Sequence, residues 1–175
     1  MTALMLPALL GYVMPQTLTV LVDVLAWGFF HAATGYAAHR IPAHRLERDG
    51  WLLRERRFED RGRWYRRRLR ITRWKDRVPE AGDLFQGGTS KRALPALDDA
   101  GLELFLRETR RAELGHWWAM WCGPLFLLWN PPAIAAALVA YGVLVNLPFI
   151  AIQRFNRART RSVLERRRAA RPGRA

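Results

Sequence analysis

The strongest constraint on this chain is where charge is absent. Residues 1–39 hold no Lys or Arg and a single acid, Asp23, and residues 116–153 hold no formally charged side chain. Between these blocks, residues 40–115 carry 20 basic and 13 acidic side chains, and residues 154–175 carry nine Arg against Glu165. A soluble domain interleaves charge with apolar residues at the period of a strand or a helix, whereas long charge-free blocks are suited to lipid. The net charge of +14 on 175 residues is therefore segregated along the chain. The expected fold is an all-α membrane protein of about three transmembrane helices: one amino-terminal span and a carboxy-terminal helical hairpin. A small basic interfacial subdomain on the cytoplasmic side completes it.

Length, proline and charge set the boundaries. Within the amino-terminal hydrophobic segment 1–39, residues 17–38 suffice for one span, because about 20 residues cross a bilayer as a helix. Pro15 suits the position just before a helix starts. Residues 1–14 are apolar but short and broken by Pro7, and an interfacial helix, a re-entrant piece or an extension of the first span all fit them. No basic residue precedes this stretch, which is too long for a signal-peptide core, so it is expected to be retained. Residues 40–97 form the basic interfacial section, with Trp51, Phe58, Trp64, Tyr65, Leu69, Ile71 and Trp74 as apolar anchors. Its stretch 63–74 reads as a strand or a short helix. Residues 98–153 read as an amphipathic helix, capped by Asp98 or Asp99, that leads into the hairpin arms 115–129 and 132–152. Asn130-Pro131-Pro132 is the turn, since consecutive prolines cannot continue a helix. Residues 154–175 are an Arg-rich tail. Positive charge stays inside, which puts the central section and the tail in the cytoplasm of a multi-pass cell-membrane protein.

Several features carry candidate chemistry. Glu113 lies three positions before His116 and shares its helix face, so a carboxylate there can orient an imidazole that acts as general base. A His paired with a Glu for packing fits the same spacing. The Glu-x-x-His form also occurs in carboxylate metal sites, but those need a second such pair, and no metal is expected. Asp23 and His31 lie at helical spacing within the first span, where an acid costs about 2.5–3.5 kcal/mol and needs a partner, functional or structural. His44 and Asp49 have the His-x4-Asp spacing of many glycerolipid acyltransferases, a short pattern read here as coincidence. Gly87-Gly-Thr-Ser-Lys91 can offer N–H groups and an ammonium to a phosphate, or can simply be a turn. In the last span, Pro148 leaves the Leu144 carbonyl needing a donor, and Asn146 can bond across to another helix. If the hairpin closes, Glu108, Arg111, Glu113, His116, Gln153, Asn156 and Arg157 gather at its cytoplasmic end. The Arg runs suit anionic lipid rather than nucleic acid. The lone Cys122 implies no disulfide framework.

The ordered blocks resemble a known family. Glu108-Thr-Arg-Arg-Ala-Glu-Leu-Gly-His116-Trp117, Asn146-Leu-Pro148 and Gln153-Arg-Phe-Asn-Arg157 are similar to the glycosyl-4,4′-diaponeurosporenoate acyltransferase family of bacterial membrane proteins. So, upstream, are Arg40-Ile-Pro42, Phe58-Glu59 with Gly62 and Tyr65, Trp74-Lys75-Asp76 with Pro79-Glu80, and Gly88-Thr-Ser-Lys91. Together these blocks cover roughly residues 20–160. The resemblance implies transfer of a fatty acyl group to a sugar hydroxyl of a glycosylated C30 carotenoid, the last step of a staphyloxanthin-type pathway.

The sequence thus leads to a membrane acyltransferase that moves a long-chain acyl group onto a hydroxyl of a glycosylated lipid. His116 is its expected base and Glu113 the orienting acid. Glu108, Arg111, Trp117, Asn146, Gln153, Arg154, Asn156 and Arg157 are expected at the substrate, with Arg111 and Arg157 facing the oxyanion or the donor's phosphates. His31, Asp23, Trp74, Lys75 and Lys91 are secondary candidates. No Ser or Cys sits in a nucleophile arrangement, which favours direct transfer. No bound cofactor is expected. The partners are membrane lipids, the amphiphilic glycosylated acceptor and an acyl donor, either acyl-CoA or acyl carrier protein. A different class, a non-enzymatic scaffold or accessory protein binding anionic lipid or an acidic partner, fits the same composition.

Overall fold

The computed structural model describes residues 15–78 and 98–170. Residues 1–14 and the Gly87–Lys91 loop lie outside the described residues. Among the described residues the architecture is all-α. Helix α1 spans Gln16–His39, the short α2 Arg63–Arg68, α3 Asp99–Trp121 and α4 Pro132–Ala169, with 3-10 turns in the connections.

Each long helix begins where backbone chemistry favours it. The Pro15 carbonyl accepts from the N–H groups of Leu18 at 2.9 Å and Thr19 at 3.0 Å. Asp98 caps α3, its Oδ1 accepting from the Gly101 N–H at 2.8 Å, a bond worth about 1 kcal/mol. Pro132 opens α4, where a missing N–H costs nothing, and the Pro131 carbonyl accepts from Ala135 at 3.0 Å.

The chain divides into two units, and α3 and α4 contribute to both. One draws on the chain up to His39 and on Gly115–Phe149; the other draws on Arg40–Leu114 and on the chain from Ile150. In the first unit Trp27, Phe126 and Ala135 form the core, with Phe30, Trp129 and Leu138 against it. The Trp27 ring lies 5.0 Å from that of Phe126 and 5.6 Å from that of Tyr141. It fits there because residue 142 is glycine: a Cβ at that position would stand 2.4 Å from Cη2 of the indole.

The outward side of this unit is apolar. Leu18, Val20, Leu21, Val24, Leu25 and Phe29 on α1 are exposed, as are Tyr141, Leu144 and Leu147 on α4. Mean hydropathy reaches 1.4 in α1 and 2.1 in α4 over their most apolar stretches. Each such side chain forgoes about 1.5–3 kcal/mol if left in water, so the two helices fit membrane insertion. The expected third span is different. α3 ends at Trp121, because Pro124 has no N–H to continue the helix, and Gly123–Leu128 winds as a tighter 3-10 stretch. The arm 115–129 is thus not one continuous α-helix, and among the described residues two helices, α1 and α4, have the length and apolarity of a span.

In the second unit the early part of α3 packs along the late part of α4. Leu102 and Leu106 bury against Leu164 and Val163. The 63–74 stretch, open to two readings from its pattern, is helix α2 followed by a 3-10 turn. Tyr65 and Ile71 close on Ala151, Ile152 and Phe155 of α4. The chain enters α2 through three left-handed residues, Asp60, Arg61 and Gly62. Gly62, at φ +82°, is doubly required, since a Cβ there would lie 3.3 Å from the Ala158 Cβ. The Arg-rich segment from Arg154 does not leave the fold as a loose tail: α4 carries it to Ala169.

Candidate active site

In the apolar unit, three polar side chains from three helical segments meet. His116 on α3 has its Nδ1 3.0 Å from Oδ1 of Asn146 on α4. Asn146 Nδ2 lies 2.8 Å from the Gly142 carbonyl oxygen and 3.5 Å from Nε2 of His31 on α1. His31 Nδ1 in turn lies 2.9 Å from the Trp27 carbonyl oxygen. Asn146 is fully buried, and the His116 ring stacks on Phe149 with centroids 4.7 Å apart.

The order of protons along this chain follows from its fixed acceptors. A carbonyl oxygen only accepts, so the Gly142 oxygen requires the NH₂ of Asn146 on its side and turns Oδ1 toward His116. Because Oδ1 also only accepts, His116 must carry its hydrogen on Nδ1. In the neutral ring the lone pair then sits on Nε2. The orientation expected from Glu113 is therefore supplied at Nδ1 by an amide thirty residues further along the chain.

Asp23 makes a separate contact toward the start of α1. Its Oδ1 accepts from Trp129 Nε1 at 2.7 Å and from Asn130 Nδ2 at 2.8 Å. These bonds give the buried acid partners at the turn before α4, about 12 Å along the α1 axis from His31.

The second unit contains a buried ion-pair network. Glu113, fully buried, binds Arg154 Nε and Arg157 Nη2, both at 2.6 Å. Arg154 also binds Glu59. Asp49 binds Arg110 at 2.7 Å and Arg161 at 2.6 Å. Two of the guanidinium groups also reach main-chain carbonyls: Arg157 to Leu53 at 2.8 Å and Arg110 to Leu46 at 2.9 Å. The cleft over the network, lined by Glu55, Glu59, Arg154, Arg157, Ala158 and Arg161, encloses about 10 Å³, space for about one water. Burial raises the Tyr65 hydroxyl's pKa above its ordinary value, and the neighbouring Glu59 charge raises it further.

Burial pushes the Asp49 carboxyl up, but hydrogen bonds from Arg110 and Arg161 and the charges of Arg161 and Arg157 more than offset this and hold it below the ordinary 3.8. A depressed carboxyl contributes stability that is present above its unfolded value and is lost as pH falls through the folded one. Wild type is therefore expected to exceed Asp49→Asn in stability at neutral pH, with the gap closing below about pH 3.8. Denaturation midpoints of the two chains across an acid titration check this. The same salt bridges account for Asp49 without any pairing to His44, which is exposed.

The other expected residues distribute as follows. Arg111 pairs with Glu108 at 3.1 Å and donates to the Ile41 carbonyl at 2.7 Å. Trp117 and Asn156 are half-buried and Gln153 is buried. Trp74 packs on the Tyr65 cluster and donates to the Leu69 carbonyl at 2.8 Å, and Lys75 pairs with Asp76. Lys91 lies outside the described residues. Sequence reasoning missed Glu59 and Arg110 as members of the network and Phe149 as the ring beneath His116. Glu59 had a signal, an acid within a dense Arg run.

Fold and site define a class: an all-helical protein, fitted to a membrane by two apolar helices, with an ordered His–Asn–His chain inside its apolar unit. The family profile described as glycosyl-4,4′-diaponeurosporenoate acyltransferase matches residues 49–166. The chain belongs to that family and is an acyltransferase, which removes the scaffold reading. The matched segment contains His116 and Asn146; His31 precedes it. Among its relatives, the glycosyl-4,4′-diaponeurosporenoate acyltransferase of Staphylococcus aureus (strain USA300) is 27% identical over 126 residues, 71% of this chain and 75% of the relative. The enzyme of the same name from Staphylococcus haemolyticus (strain JCSC1435) is 34% identical over 102 residues, 58% of this chain and 59% of the relative. No solved structure matches the chain.

Proposed function

We propose that this acyltransferase moves a long-chain fatty acyl group from a carrier thioester to a sugar hydroxyl of a glycosylated, carotenoid-type lipid. The carrier is coenzyme A or acyl carrier protein, and no bound cofactor takes part. The names of the relatives support the acceptor class, and the apolar outer faces of α1 and α4 suit an acceptor that shares their bilayer. The observation that carries the mechanism is the hydrogen-bond order at His116, which leaves the lone pair on Nε2.

In this reading Nε2 of His116 takes the proton of the sugar hydroxyl as its oxygen attacks the thioester carbonyl. The tetrahedral intermediate expels the thiolate, and the proton on Nε2 passes to that sulfur. The products are an ester and a free thiol, and the imidazole returns to its starting form. Asn146 holds Nδ1–H throughout. Arg154 fixes Glu59 and Glu113, and Arg157 fixes Glu113, as ties within the fold rather than contacts to the donor. The excess of Arg in the second unit orients that unit to the cytoplasm, where acyl donors are found.

A lipid comparison tests the function. A strain lacking the protein is expected to lose one acylated glycolipid and to accumulate its unacylated precursor, both read by mass spectrometry of total lipid extracts. An unchanged lipid profile would reject the proposed reaction.

A further inference from the structure

His31 stands outside the mechanism above, yet its geometry ties it to the base. Its Nδ1 faces the Trp27 carbonyl oxygen at 2.9 Å, so Nδ1 carries the hydrogen and Nε2 the lone pair. That lone pair points at Asn146 Nδ2, 3.5 Å away. The Gly142 carbonyl independently requires the same amide to present its NH₂ group on that side. Two acceptors on different helices thus dictate one order of protons, and the two dictates agree. With the amide reversed, Oδ1 would face the Gly142 oxygen and the His31 lone pair together, two repulsive contacts in an apolar setting where an unmade hydrogen bond costs about 1–3 kcal/mol.

We infer that His31 is a positioning residue for acyl transfer: through Asn146 it locks the tautomer of His116, so that the lone pair stays on Nε2. This inference rests on the proposed reading of His116 as the base, but the lock itself can be observed without any reaction. Asn146 is held from both sides, and His116 inherits the result. His31 touches neither substrate nor the reacting atoms in this scheme.

The test uses the full chain in lipid nanodiscs, with ring nitrogens of histidine labelled with ¹⁵N. Wild-type His116 is expected to show a protonated Nδ1 and an unprotonated Nε2. His31→Leu, which keeps the apolar fit, removes one of the two acceptors and leaves the Gly142 carbonyl to order the amide by itself, so a measurable share of His116 is expected to shift to the tautomer protonated on Nε2. It is also expected to lower kcat in proportion to that share, about 2-fold if the two tautomers become equally populated, with KM little changed. His31→Gln, whose side-chain oxygen can accept from Asn146, is expected to restore the single tautomer and recover most of the rate lost in His31→Leu. Wild-type His116 protonated on Nε2 overturns the inference, as does a His31→Leu chain with an unchanged tautomer. A tautomer shift in His31→Leu beside a fully active His116→Ala would uphold the lock and sink the base assignment, so the two failures are separable.

Discussion

Replacing His116 by alanine is expected to reduce acyl transfer by about 10²–10⁴-fold, the contribution typical of a positioned general base. The loss should fall on kcat, because removing a group that acts on the proton in the transition state leaves ground-state binding of a lipid acceptor largely intact. The assay is transfer from an acyl thioester to a glycosylated carotenoid in mixed micelles, with product followed by chromatography. The variant should fold. His116 is half-buried, and its removal leaves Asn146 Nδ2 bonded to the Gly142 carbonyl. A fully active His116→Ala would remove this residue from the chemistry.

The second large effect is on stability. Arg154→Met is expected to cost about 3–5 kcal/mol, because it strands the buried Glu59 carboxylate and leaves Glu113 with Arg157 alone. The pair Arg154→Met with Glu59→Gln should recover part of that loss, since the stranded charge is removed with its partner. Denaturation midpoints of the full chains in detergent measure both. The outcome also separates two duties for this arginine. If Arg154→Met keeps its midpoint and loses activity, the guanidinium meets substrate, as the sequence pattern suggested. If the midpoint falls, it is a bolt within the fold.

The spans and turns were legible in the sequence because they depend on local chemistry. Charge-free runs mark α1 and the first half of α4, and prolines mark their starts. Asp98 announced its own cap. The arm before Asn130 changes from α-helix to 3-10 helix at Cys122-Gly123-Pro124, a change that an apolar run does not announce. For the stretch at Tyr65 and Ile71, strand and helix patterns agree over so few residues, and the choice was made by packing on Ile152 and Phe155.

The site divided along the same line. His116 and Asn146 were each picked out, one for its spacing to Glu113 and one for its neighbour Pro148. That they bond to each other depends on tertiary approach, which spacing cannot show. Glu113 looked like a partner for His116 because three residues bring it to the same face. Arg154 and Arg157, much further along the chain, supply charge-assisted bonds to its carboxylate. Pattern reading finds which side chains are unusual; it does not find their partners.

The Asp23 contact bears on how the protein is made. The acid sits in α1, and its partner Asn130 follows 107 residues later in synthesis. At synthesis rates of about 5–20 residues per second, the delay is about 5–20 s. For that interval a bilayer-inserted α1 carries its carboxyl with no Trp129 or Asn130 to bond it, at an insertion cost of about 2.5–3.5 kcal/mol. Insertion of α1 and delivery of the 129–130 turn are thereby coupled in time.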